Sequence, residues 1–243
     1  MTSSKFVLIH GAWHGAWCWD KVIPILKRKH EVIAIDLPGH GRNRSVPVTA
    51  ITLETYTSSV VRTLDSLNDP VILVGHSMGG IVITQSAEYR PKKIRKLVYL
   101  TAFLPRNGEC LLDHANLDSK ALVMPNAILD KQTNSISFNR GVVKEIFYQD
   151  CSHEDAERAE SLLVPQAIAP FNTKVATSQK NFGSISRVYI ECLKDRAITL
   201  ETQRKMYMAQ PCEKVISIDS GHSPFFSSAE ELAENLESIA QDV

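Results

Sequence analysis

No charge of either sign predominates in this sequence: 27 Lys and Arg face 27 Asp and Glu, for a formal charge of zero. Without a basic excess nothing draws the chain as a whole to phosphates, so neither nucleic acid nor a membrane is expected as a partner. Long apolar runs are also missing. Phe6-Val7-Leu8-Ile9 stops at His10-Gly11, far short of a signal-peptide core or a membrane span, and a soluble, unexported, cytoplasmic protein is expected. The five cysteines, Cys18, Cys110, Cys151, Cys192 and Cys212, are odd in number and lack C-x-x-C spacing, which excludes a zinc knuckle or redox pair of that kind. The sequon Asn43-Arg44-Ser45 is a chance match in an unexported chain. No repeat, coiled coil or low-complexity tract is present. What remains is a globular composition, 44% hydrophobic and 22% charged over 243 residues, suited to one large α/β domain or two small ones.

Short β-branched runs alternate with helical patterns. Lys5 to His10 and Glu31 to Asp36 read as buried parallel strands, each ended by turn residues. Between them Trp19 to Lys29 reads as a helix, with Pro24 as an early blemish. The alternation continues with a helix over Leu53 to Leu67, a strand over Val71 to Val74, a helix over Met78 to Tyr89 and a strand over Lys96 to Leu100. It resumes with a strand over Ser186 to Glu191, a helix near Leu200 to Met208, a strand over Lys214 to Ile218 and a closing helix over Ala229 to Ala240. This pattern specifies an α/β, doubly wound, mostly parallel sheet. Residues 1–104 and 182–243 are expected to form its core. Residues 105–181 break the alternation and read as an inserted, largely helical lid, with helices over Gly141 to Gln149 and Glu154 to Leu163 and irregular polar residues over Lys131 to Ser135.

Chemistry is carried by Gly75-His76-Ser77-Met78-Gly79, which follows a strand and opens a helix. That is the context of a G-x-S-x-G nucleophile elbow, with Ser77 held in a sharp turn. A serine hydroxyl is a weak nucleophile and needs a base and an acid that orients the base. In the order Ser, acid, His, the residues after the last two core strands are Asp195 and His222, both at strand carboxyl ends, where open α/β sheets place their ligands. Asp113, Asp118 and Asp219 are weaker candidates for the acid. His10 and His76 are expected to fix loops by hydrogen bonds, and His30, His114 and His153 to be solvated or capping. An oxyanion in acyl transfer needs backbone donors; Met78 N–H, after the nucleophile, and Ala12 N–H, in the His10-Gly11-Ala12-Trp13 loop, are the expected pair. Trp13, Phe103 and Leu122 are candidate pocket liners. This chemistry requires no metal or other cofactor.

The run Phe6 to Trp19 together with the elbow resembles the α/β-hydrolase superfamily, in the branch of plant methylesterases, hydroxynitrile lyases and their bacterial esterase relatives. Phe147-Tyr148-Gln149-Asp150-Cys151-Ser152-His153-Glu154-Asp155 and Arg187-Val188-Tyr189-Ile190-Glu191-Cys192 resemble further stretches of that branch. The resemblance places its triad on Ser77, Asp195 and His222 and its oxyanion donors on Ala12 and Met78. It implies a small, largely apolar ester as substrate and allows a homodimer. Two departures separate the chain from the cyanohydrin-cleaving members: Gly11 replaces a hydroxyl residue, and Ser223 replaces a lysine that follows the catalytic histidine. Leu37-Pro38-Gly39-His40-Gly41 has the form commoner in bacterial hydrolases, which sets it apart from the plant methylesterases. A carboxylesterase is the leading expectation, and the alternatives are a hydroxynitrile lyase and a non-catalytic small-molecule receptor.

Overall fold

The computed structural model describes residues 3–242. In chain order its strands are β1 (Lys5–Ile9), β2 (Glu31–Ile35), β3 (Val71–His76), β4 (Ile94–Leu100), three short strands β5 (Ile128–Asp130), β6 (Ser135–Ser137) and β7 (Gln166–Ala167), then β8 (Arg187–Cys192) and β9 (Lys214–Ile218). Six of them form one sheet in the order β2-β1-β3-β4-β8-β9, and every pairing in it is parallel. Its central strands are continuously apolar because helices cover both faces: all six residues of β3 are buried, and β1 is buried from Phe6 onward. Register then sets the site. Ile9 lies opposite Gly75, so the loop after β1 emerges beside the loop after β3.

Several helices begin where the sequence supplies a side-chain cap. Helix α1 is Val22–Leu26, and α2, Leu53–Ser66, starts at a Thr52/Thr55 capping box and buries Leu53, Tyr56, Val60 and Leu64 on one face. Helix α3, Gly79–Tyr89, is buried from Gly79 to Ala87, as expected of a helix packed on all sides beneath the central strands it follows. The expected helix over Trp19 to Lys29 is shorter than its pattern. A 3-10 turn at Ala16–Trp19 precedes a five-residue α1, because Pro24 has no N–H to donate and is tolerated only in a first turn.

Between β4 and β8 the chain leaves the sheet. This segment carries α4 (Leu111–Ala115), α5 (Val123–Asn126), α6 (Val142–Phe147), α7 (His153–Leu162) and α8 (Ala169–Asn172). Helix α7 is capped by Ser152, whose Oγ accepts from Asp155 N at 3.1 Å. The helices are joined by an antiparallel sheet, β5-β6-β7, which the polar composition around residues 131–135 concealed. Helices α9 (Leu200–Ala209), α10 (Pro224–Ser227) and α11 (Ala229–Gln241) complete the core. No helix among the described residues is long and apolar enough to cross a membrane.

Candidate active site

Ser77 sits in the turn from β3 to α3 with φ at +55°, a left-handed conformation that costs a non-glycine residue roughly 1–3 kcal/mol. The surroundings hold it there. Ser77 N donates to Leu100 O at 3.3 Å, and Ser77 O accepts from Gly80 N at 3.0 Å and Phe103 N at 3.1 Å. Between those two β4-turn anchors lies Thr101, whose hydroxyl donates to Asp195 Oδ2. The same oxygen accepts from His222 Nδ1 at 2.7 Å, while Asp195 Oδ1 accepts from Ala197 N at 2.6 Å and Ile198 N at 2.9 Å. The His222 and Asp195 side chains are 2% and 0% exposed, and four protein donors fix the carboxylate. His76 Nε2 donates to His222 O at 2.8 Å, and the two rings lie 4.6 Å apart. The structure therefore gathers Ser77, His76, Asp195 and His222 at the carboxyl ends of β3, β8 and β9.

The weaker acid candidates lie elsewhere. Asp219 is exposed and paired with Lys194 at 2.7 Å, Asp113 caps Cys110 N at 2.8 Å, and Asp118 accepts from Thr199 N and Oγ1. Ala12, Ser77 and Met78 open onto one cavity of about 530 Å³ of empty space including its mouth. Among the described residues neither the Ala12 nor the Met78 amide donates to a protein acceptor, which leaves both free for a ligand oxygen. Trp13, Phe103, Leu111, Phe147, Phe171 and Ile198 supply apolar walls. Of the three expected liners Leu122 is not in that wall; its neighbours Ala121 and Val123 are, and its own N–H donates to Arg196 O at 2.8 Å.

Trp13 is held at φ +63° entirely by the lid. Its N–H donates to Gln166 Oε1 at 3.4 Å, its indole N–H to Ile136 O at 2.8 Å, and its carbonyl accepts from Val164 N at 3.0 Å. The preceding Gly11 is packed just as closely. A Cβ placed there would lie 2.8 Å from Ser77 Cβ and 3.0 Å from His76 Nδ1, so this backbone has no room for a larger residue. Ser223 is fully buried, and a lysine there would bury an ammonium. Gly11→Ala is expected to push the elbow aside and lower kcat on the order of 10², the cost of a misplacement near 1 Å. An unchanged kcat in that variant would show that the loop yields.

Three buried imidazoles, two of them expected from the sequence to fix loops, are neutral by geometry. His10 Nδ1 donates to Gly11 O while Nε2 accepts from Leu37 N, and His14 Nδ1 donates to Ala12 O while Nε2 accepts from Tyr148 Oη. His76 has only the His222 carbonyl to donate to. Burial is the main cause that lowers all three, His14 to about 3 from an ordinary 6.5, with neighbouring histidines adding repulsion. The unfolded chain therefore binds protons below pH 6.5 that the folded chain does not. Stability is fully present above that pH and falls as pH drops toward the folded values, by up to about 4 kcal/mol per pH unit if all three contribute. Melting temperature should be flat from pH 8 to 7 and fall steeply from 6.5 to 5, and a level profile across that window would contradict the neutral assignment.

Residues 6–235 match the alpha/beta hydrolase family, and the chain belongs to that family. It is 36% identical to Methylesterase 9 of Arabidopsis thaliana over 253 residues, covering 97% of each chain. It is 34% identical to the Alpha-hydroxynitrile lyase of the same plant over 254 residues, covering 98% of this chain and 97% of that one. Tomato Methylketone Synthase I, solved with 2-tridecanone, superposes with a TM-score of 0.91 at 27% identity, covering 100% of this chain and 99% of that one. Some relatives are longer: the chain spans 56% of the Putative methylesterase 13, chloroplastic, of Arabidopsis thaliana.

Proposed function

We propose that the protein is a serine carboxylesterase acting on small, neutral, largely apolar esters. The observation that carries this reading is the convergence of Ser77 with two unpaired amides, Ala12 and Met78, on one apolar cavity, backed by the buried Asp195–His222 pair. Ser77 Oγ attacks the ester carbonyl as His222 Nε2 takes its proton, and the two amides receive the oxyanion. His222 returns the proton to the departing alcohol. Water then deacylates the serine by the same route, while Asp195 holds the Nδ1 proton throughout.

Cavity chemistry supports the substrate class. No Lys, Arg or His lines it, and the one other ionisable liner, Asp118, has both oxygens engaged by Thr199. A substrate carrying a free carboxylate would therefore be desolvated without a countercharge. A lyase on the same residues is disfavoured by Gly11, which supplies no hydroxyl beside the nucleophile, and by Ser223, which supplies no ammonium to receive cyanide. A fluorophosphonate should label Ser77 and stop hydrolysis of short p-nitrophenyl esters, and mandelonitrile should release little cyanide. Efficient cyanide release without ester turnover would overturn the esterase reading in favour of the lyase.

A further inference from the structure

The lid stretch Tyr148-Gln149-Asp150 has no part in the acid–base steps above, yet its three side chains reach three separate loops of the site. Tyr148 Oη donates to His14 Nε2 at 2.7 Å, and His14 Nδ1 passes the contact to Ala12 O at 2.7 Å. Gln149 Nε2 donates to Lys194 O at 2.8 Å, and Asp150 Oδ2 accepts from Gly221 N at 2.6 Å. Lys194 immediately precedes Asp195, and Gly221 immediately precedes His222. Three consecutive lid residues thus end at the oxyanion loop, the acid loop and the base loop.

We propose that Tyr148, Gln149 and Asp150 are positioning residues: a lid clamp that sets the oxyanion donor, the acid and the base at fixed distances from one another. The inference rests on the triad reading above. Its physical basis is that these loops follow three different strands: the acid and base loops share a main-chain bond, Lys194 N to Ser220 O at 2.9 Å, and the lid stretch adds a second tie between them and extends it to the oxyanion loop. A shift near 1 Å among reacting groups costs on the order of 10² in rate. Glycine at position 221 is what admits the clamp. A Cβ there would collide with Gln149 Nε2 and lie 2.7 Å from Asp150 Oδ1. The peptide N–H of Gly221 asks for an acceptor and not for a charge, so an amide oxygen at position 150 serves as well as a carboxylate.

The test compares full-length wild type with Asp150→Ala, Asp150→Asn, Gln149→Met and Ser77→Ala. Turnover of a short p-nitrophenyl ester, thermal melting and the low-field proton resonance of the His222–Asp195 hydrogen bond are followed. Asp150→Ala should lower kcat about 10- to 100-fold with KM little changed, and should weaken the resonance while melting remains cooperative. Asp150→Asn should restore both signals. Gln149→Met keeps side-chain volume without the amide and should lower kcat in the same sense, which keeps the clamp testable if Asp150→Ala does not fold. Wild-type kcat in Asp150→Ala and Gln149→Met would overturn the clamp, as would a kcat loss that only follows loss of folded protein. An Asp150→Asn enzyme as impaired as Asp150→Ala would do the same. Activity surviving in Ser77→Ala would instead overturn the triad, so the two failures are distinguishable.

Discussion

Ser77→Ala is expected to lower kcat for ester hydrolysis on the order of 10⁶ with no measurable change in melting temperature. The variant keeps the Cβ, so the packing against Gly11 is retained, and alanine meets the same left-handed strain at this position as serine. Backbone anchors to Leu100, Gly80 and Phe103 do not involve the side chain. What is lost is the oxygen that would carry the acyl group, and with it any covalent route. Residual hydrolysis on the order of 10³ over water is still expected, because the two unpaired amides continue to polarise a bound carbonyl. Single-turnover assays with an activated ester, run beside phosphonate incorporation, separate that remnant from contaminating wild type. Stoichiometric labelling of the alanine variant would move the nucleophile elsewhere.

The second large effect concerns the acid. Asp195→Asn should fold normally and lose on the order of 10⁴ in kcat, for a reason visible in the donor pattern. Oδ1 faces two backbone N–H groups, from Ala197 and Ile198, whereas Oδ2 faces the Thr101 hydroxyl and His222 Nδ1. Asparagine has only one acceptor oxygen, and the two rigid amides claim it. Its NH₂ group is then turned to His222 and donates to Nδ1, which forces the ring proton onto Nε2. A ring with that tautomer cannot take a proton from Ser77. A variant within about tenfold of wild type, a difference of only ~1.4 kcal/mol, would assign the orienting role to another carboxylate.

Much of this site is legible along the chain because its parts are local or punctuated. The elbow is five adjacent residues between a strand and a helix, and Asp195 and His222 each follow a β-branched strand. Thr101, His14 and Gln166 are different. The Thr101 hydroxyl meets Asp195 across 94 positions, and Trp13 N meets Gln166 across 153, and no spacing rule connects such pairs. Only the fold brings them together, although a hydroxyl directly after β4, at a strand carboxyl end, is a signal that places Thr101 near the site. His40, whose Nε2 lies 3.0 Å from Gln166 Oε1, escaped for the same reason. The lid sheet escaped because its strands have three, three and two residues, too few for a two-residue period to stand out.

Trp13 has a consequence for how such a protein can change over generations. Its carbonyl and its indole N–H are tied to main-chain atoms of Val164 and Ile136: an N–H at 164, which every amino acid but proline provides, and a carbonyl at 136, which all provide. Residues 136 and 164 can therefore exchange one side chain for another without losing these ties, within the limits that their burial sets. Insertion or deletion between them is another matter, since one residue of slippage in β6 or β7 would swing the wrong peptide groups toward position 13. Variation in this lid should accumulate as exchanged side chains at constant length. A lid borrowed from a relative should work only if it arrives together with the loop from His10 to His14.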